Sequence, residues 1–100
     1  MKKENLDECK KALIAIISRY LPQAKVYLFG SRARQTDYEG SDIDIAIDNG
    51  SKLSILLKQE LEYEIIEKSN VPVLVDIIDI HAIDPELRKE IEKYKIVWKS

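Results

Sequence analysis

Two aspartates separated by a single residue, Asp42 and Asp44, are the first candidates for chemistry in this chain. In an extended strand they share a face and stand about 6.5–7 Å apart along the backbone. Carboxylates so placed repel one another unless something positive neutralises them. A hard divalent cation such as Mg²⁺ suits them, because it takes one or two protein carboxylates and fills its shell with phosphate oxygens. An ordinary solvated acidic row has the same pattern, since Asp48 continues it, and alternation alone leaves both readings open.

About ten residues upstream stands Gly30–Ser31, at the end of the apolar run KVYLF. A strand that runs into Gly-Ser and then a helical turn offers backbone N–H groups, a hydroxyl and a helix start where an anion can dock. Glycine also lets a phosphate approach the backbone closely. Arg32 and Arg34 follow at once, and either could contact phosphates or a partner. A Gly-Ser turn by itself often only closes a strand. Followed by Ser41-Asp42-x-Asp44, it makes a coherent phosphate-plus-metal site. Asp76, in the apolar run VLVDIIDI, is the third carboxylate. Such a position calls for a cation or donor partner, because an unpaired buried carboxylate is costly. If its strand pairs beside 43–48, Asp76 approaches Asp44 across roughly 5 Å and can bind a second metal or take a proton from an attacking hydroxyl. A local cap or salt bridge is the plainer alternative. Asp79 has the opposite parity and faces away, so Asp76 is favoured.

The elements that must position these residues can be read from periodicity. Leu6, Cys9, Leu13, Ile16, Ile17 and Tyr20 recur at steps of three and four, predicting a helix over about 5–20 that stops near Pro22. Residues 25–29 read as a strand, Ser31 to about Gln35 as a helical turn and 37–40 as a loop. Residues 42–48 alternate strictly and read as a strand. Leu53, Leu56, Leu57, Leu61 and Ile65 mark a helix over about 52–69. Residues 73–80 read as a strand buried on both faces. Asp84-Pro85-Glu86 opens a last helix, with Leu87, Ile91, Tyr94 and Trp98 as its apolar stripe. The order α-β-α-β-α-β-α predicts an α/β fold, a small mixed sheet packed by helices.

Composition narrows the classes. One hundred residues, 45% apolar and 34% charged, suit one globular domain, here residues 1–100. Sixteen Lys+Arg against eighteen Asp+Glu give a net charge of −2, which excludes a strongly basic module gripping long nucleic acid. The single cysteine, Cys9, cannot form an internal disulfide or a Cys-rich zinc site. No apolar run approaches a membrane span and MKKENLDECK lacks an apolar signal core, so a cytoplasmic protein is expected.

Taken together, GSRAR, GSDIDIAI and the later VDII resemble the minimal nucleotidyltransferase (MNT) family of the DNA polymerase β-like superfamily. The resemblance spans about residues 25–80 with the flanking helices and implies the nucleotidyltransferase fold. It implies that Gly30 and Ser31 hold a nucleoside triphosphate, with Arg32, Arg34 and Ser41 completing the nucleotide set. Asp42 and Asp44 would bind Mg²⁺, and Asp76 would complete a two-ion site and activate the nucleophile. Family members often carry glycine where Gln35 stands, which bears on the loop's geometry but removes no catalytic group. The resemblance further implies an antitoxin that moves AMP from ATP to a tyrosine hydroxyl of a HEPN-domain toxin. Neutralisation of that toxin by binding alone is the alternative, and transfer to a small molecule or RNA end a third. Homo- or hetero-oligomers are compatible with any of these.

Other residues invite blander readings. His81 reads as structural or surface, Cys9 as core, Tyr94 and Trp98 as packing, Tyr38 as a loop tyrosine and 86–95 as a solvated helix face.

Overall fold

The computed structural model describes residues 5–36 and 40–100; Tyr38, most of the 37–40 loop and the first four residues lie outside the described residues. The elements are α1 (Leu6–Tyr20), β1 (Lys25–Phe29), α2 (Gly30–Arg34), β2 (Ile43–Asp48), α3 (Ile55–Lys68), β3 (Val75–Asp79), α4 (Pro85–Tyr94) and β4 (Ile96–Lys99). Side-chain caps set three of the helix starts. Asn5 accepts from the amides of Asp7 and Glu8 at 3.0 and 3.2 Å, Ser54 from Leu57 at 3.1 Å and Asp84 from Leu87 at 2.9 Å. Each satisfies amides that the first helical turn leaves unpaired. The Ser54 cap is why α3 starts at Ile55 rather than near residue 52.

The four strands form one mixed sheet in the order β3-β2-β1-β4. β1 runs antiparallel to β2 and β4, whereas β2 and β3 are parallel. The alternation of β2 splits its residues between two layers. Ile43, Ile45 and Ile47 join Val26, Leu28 and Ile77 beneath Leu13 and Ile17 of α1 and Leu61 and Ile65 of α3, forming the main core. Ala46 faces the other way, buried with Tyr27, Ile80 and Ile91 under α4. Asp44 shares that second face but lies beyond the helix that covers Ala46. The covered stretch of this face shows that the aspartate row is not simply a solvated edge.

Two expectations are corrected here. The last helix stops at Tyr94, and residues 96–99 form a fourth strand, so the element order gains a final β. Trp98 fits the helical spacing of the preceding stripe, yet Ile96 and Val97 are β-branched and suit a pleated surface better. What decides is β1, whose second edge needs backbone partners that β4 supplies. β3 is also less buried than its apolar run suggests. Lying at the sheet edge, it leaves Leu74 75% exposed, and Asp76 is exposed as well rather than shut among apolar neighbours.

Candidate functional site

The register of the sheet assembles the site. Asp44 of β2 is the cross-strand partner of Asp76 on β3 and of Phe29 on β1. Gly30 follows Phe29 directly and therefore abuts Asp44. Its φ of +74° is a backbone state that only glycine adopts freely, and a Cβ there would overlap the Asp44 carboxylate, lying 3.0 Å from its Cγ. The glycine is thus required twice, for its conformation and for its missing side chain.

An open cleft of about 450 Å³ lies at this corner. Gly30, Ser31, Arg34, Ser41, Asp42 and Asp44 all line it. Asp76 completes the face from the neighbouring strand. Sequence-derived candidates separated by up to 46 positions are thereby brought to one end of the sheet, where β1 ends and β2 and β3 begin.

Arg32, a nucleotide-binding candidate by its position, is not among the residues that line the cleft. It is 7% exposed, and its guanidinium turns inward. Nη2 donates to the Ser41 carbonyl at 2.6 Å, while Nε donates to the Ser41 and Asp42 carbonyls at 3.1 and 3.3 Å. Arg34 instead stays exposed at the cleft wall. Nη1 donates to Glu90 of α4 at 3.1 Å, and its guanidinium carbon sits 5.8 Å from the Tyr94 ring centroid. An exposed pair of this kind adds little stability, about 0–1 kcal/mol, but it limits where the side chain points.

The electrostatics of the cleft are those of a site short of positive charge. Burial raises the Asp44 carboxyl above its ordinary value, and repulsion from Asp76 and then Asp42 adds to the rise. Arg32 opposes it. Among the described residues no three His, Cys, Asp or Glu side chains converge tightly enough to hold an ion by themselves. One or two of these carboxylates together with substrate oxygens remain a suitable donor set for Mg²⁺.

Asp79 and Glu90 carry more than the sequence signalled, whereas His81 keeps the structural role it suggested. Asp79 is buried, with one carboxylate oxygen accepting from the Leu53 amide at 2.7 Å and the other from the His81 amide at 2.9 Å. It ties the approach to α3 onto the end of β3, at the opposite end of the sheet from the cleft. His81 is structural, with Nε2 2.6 Å from Asp48 Oδ1. The role of Glu90 had no local signal, because its partner Arg34 lies 56 residues away.

A glycine-serine turn packed against an Asp-x-Asp strand, with a third carboxylate in register, is the layout of an enzyme that transfers phosphate-linked groups. Residues 11–100 match the polymerase beta nucleotidyltransferase model, and the chain belongs to that family. A Methanocaldococcus jannaschii protein named as a protein adenylyltransferase is 33% identical over 87 residues, covering 87% of this chain and 90% of that one. The Haemophilus influenzae protein MntA, also named as a protein adenylyltransferase, is 30% identical over 82 residues, covering 82% and 71%. In a solved complex of a tri-AMPylated Shewanella oneidensis HEPN toxin with an MNT antitoxin, one chain superposes with TM-score 0.73. The match covers 94% of this chain and 71% of that one at 20% identity, a likeness of fold. No helix among the described residues is long and apolar enough to cross a membrane.

Proposed function

We propose that this chain is a Mg²⁺-dependent adenylyltransferase and an antitoxin, moving AMP from ATP to a hydroxyl, a tyrosine hydroxyl in our reading, of a partner HEPN toxin. The observation that carries the reading is the register that sets Asp76 opposite Asp44 while Gly30 abuts the same carboxylate. The named adenylyltransferase relatives and the AMPylated toxin of the Shewanella complex supply the substrate classes.

Gly30 lets the Asp44 carboxylate sit directly against the backbone, and the Ser31 and Ser41 hydroxyls and Arg34 offer the triphosphate donors. Asp42, Asp44 and Asp76 would hold two Mg²⁺ ions. The raised Asp44 carboxyl supports this, since a cation relieves the repulsion and desolvation it suffers. When bound, such ions stabilise the charge on the attacking and leaving oxygens. The acceptor hydroxyl attacks the α-phosphorus, its proton passes to Asp76, and diphosphate leaves in line. Exposure of Asp76 at the sheet edge suits this role, because a hydroxyl carried by a second protein can reach it.

The test is incubation with α-labelled ATP, Mg²⁺ and the proposed partner HEPN toxin. Label on the toxin is expected. A folded sample that transfers nothing from any of the four nucleoside triphosphates overturns the reading. Neutralisation by binding alone draws on a different observation: Leu56, Tyr63 and Ile66 of α3 are 78%, 61% and 78% exposed, an apolar surface outside the cleft lining. If binding suffices, the double substitution Asp42→Asn, Asp44→Asn still protects cells. Lost protection with an intact complex excludes it.

A further inference from the structure

Arg32 is the most deeply buried cation among the described residues, and its Nε and Nη2 donate to backbone carbonyls behind the cleft lining. The carbonyls it holds belong to Ser41 and Asp42, the two residues that lead into β2 and bring a hydroxyl and a carboxylate to the cleft wall. This segment follows the 37–40 loop, and Asp42 lies one residue before the ladder of β2 begins at Ile43. The sheet therefore fixes Asp44 directly, whereas Asp42 depends on what holds its backbone outside the ladder. A planar guanidinium donating from Nε and Nη2 to successive carbonyls sets the orientation of both peptide units at once.

We infer that Arg32 is a positioning residue for nucleotidyl transfer, aligning Ser41 and Asp42 through their carbonyls without itself touching the nucleotide. The inference rests on the proposed transferase activity. It separates the two arginines of GSRAR by role: Arg34 faces the cleft, whereas Arg32 shapes it from behind.

Side-chain geometry supplies the test. Glutamine places its amide nitrogen where the Nε of arginine sits, so Arg32→Gln keeps a donor to the Ser41 and Asp42 carbonyls while losing the charge. Arg32→Lys keeps the charge but ends in a point donor that cannot span two carbonyls. A positioning role predicts that Arg32→Lys and Arg32→Met lower kcat by about 100-fold, the scale of a misplacement near 1 Å, with KM for ATP within about twofold. Arg32→Gln stays within about tenfold of wild type. The Asp42→Asn background blunts each effect, because the group being positioned is already disabled. A phosphate contact predicts the reverse: lysine is tolerated, glutamine is not, and KM for ATP rises. That ordering, or unchanged kcat in all three variants, overturns the inference. Amide resonances of Ser41 and Asp42 give a readout independent of turnover, expected to move in Arg32→Met and to stay near wild type in Arg32→Gln. Resonances unmoved in both overturn the inference even if wild type shows no transfer, an outcome that instead removes the transferase reading. Circular dichroism confirms that each variant is folded.

Discussion

Asp44 and Asp76 face each other across two parallel strands, with their side chains on the same side of the sheet. Burial raises the cost of the Asp44 charge, and the facing Asp76 carboxylate adds to it. A chain without cations therefore carries an unfavourable arrangement at the point where it would work.

Replacing Asp44 by Asn removes that repulsion while keeping the shape. The variant is expected to unfold at or above the wild-type temperature in the absence of divalent ions, and to lose transfer by at least about 100-fold. A clear drop in thermal midpoint would show that the carboxylate stabilises the fold rather than straining it.

Gly30→Ala acts on the same contact from the other side. A side chain at φ +74° costs about 1–2 kcal/mol, and overlap with Asp44 costs about 1–3 kcal/mol more. Urea denaturation is expected to show a lowered midpoint, and activity falls further than stability explains because Asp44 must move. Wild-type activity and stability together would contradict the tight packing.

Gln35 ends α2 in the left-handed region at φ 60° and ψ 34°. A β-carbon is disfavoured there, so the backbone at this position suits glycine better. Gln35→Gly is expected to stabilise the chain by about 0.5–1 kcal/mol, relief of strain exceeding the added freedom of the unfolded chain. Calorimetric melting checks the sign.

Asp48 sets an acid limit. The Gly50 amide, donating at 2.9 Å, holds its carboxyl below the ordinary value, and His81 pulls in the same direction against partial burial. The folded chain thus binds this proton more weakly than the unfolded chain. Its stabilisation is complete above the unfolded value of about 3.9 and is lost as pH falls through the lower folded value. Urea midpoints of wild type and Asp48→Asn should differ by a constant amount near neutrality and converge in acid. A gap that persists through the acid range would assign the effect to packing.

Much of this was legible in the sequence. The helix and strand periods of 6–20 and 43–48, the Asp84-Pro85 helix start and the Gly-Ser and Asp-x-Asp pieces are local, and local sterics and hydrogen bonding suffice to specify them. What failed was non-local. Trp98 continues a helical stripe while Ile96 and Val97 favour a strand, and the open edge of β1, some 70 residues earlier, selects the strand. The exposure of Asp76 followed from the place of β3 at the sheet edge, and the burial of Asp79 from the approach to α3 that packs on it, and no alternation pattern encodes either.

The arginines show the same division. By itself the sequence determined that a glycine-serine turn, two spaced carboxylates and a third on a later strand exist in this chain, because residue type and spacing are enough for that. Tertiary structure alone decided that Arg32 turns inward to the Ser41 and Asp42 carbonyls while Arg34 reaches out to Glu90. Two arginines two residues apart on a short helix point in different directions, and which one is buried depends on which partners the rest of the fold brings within reach.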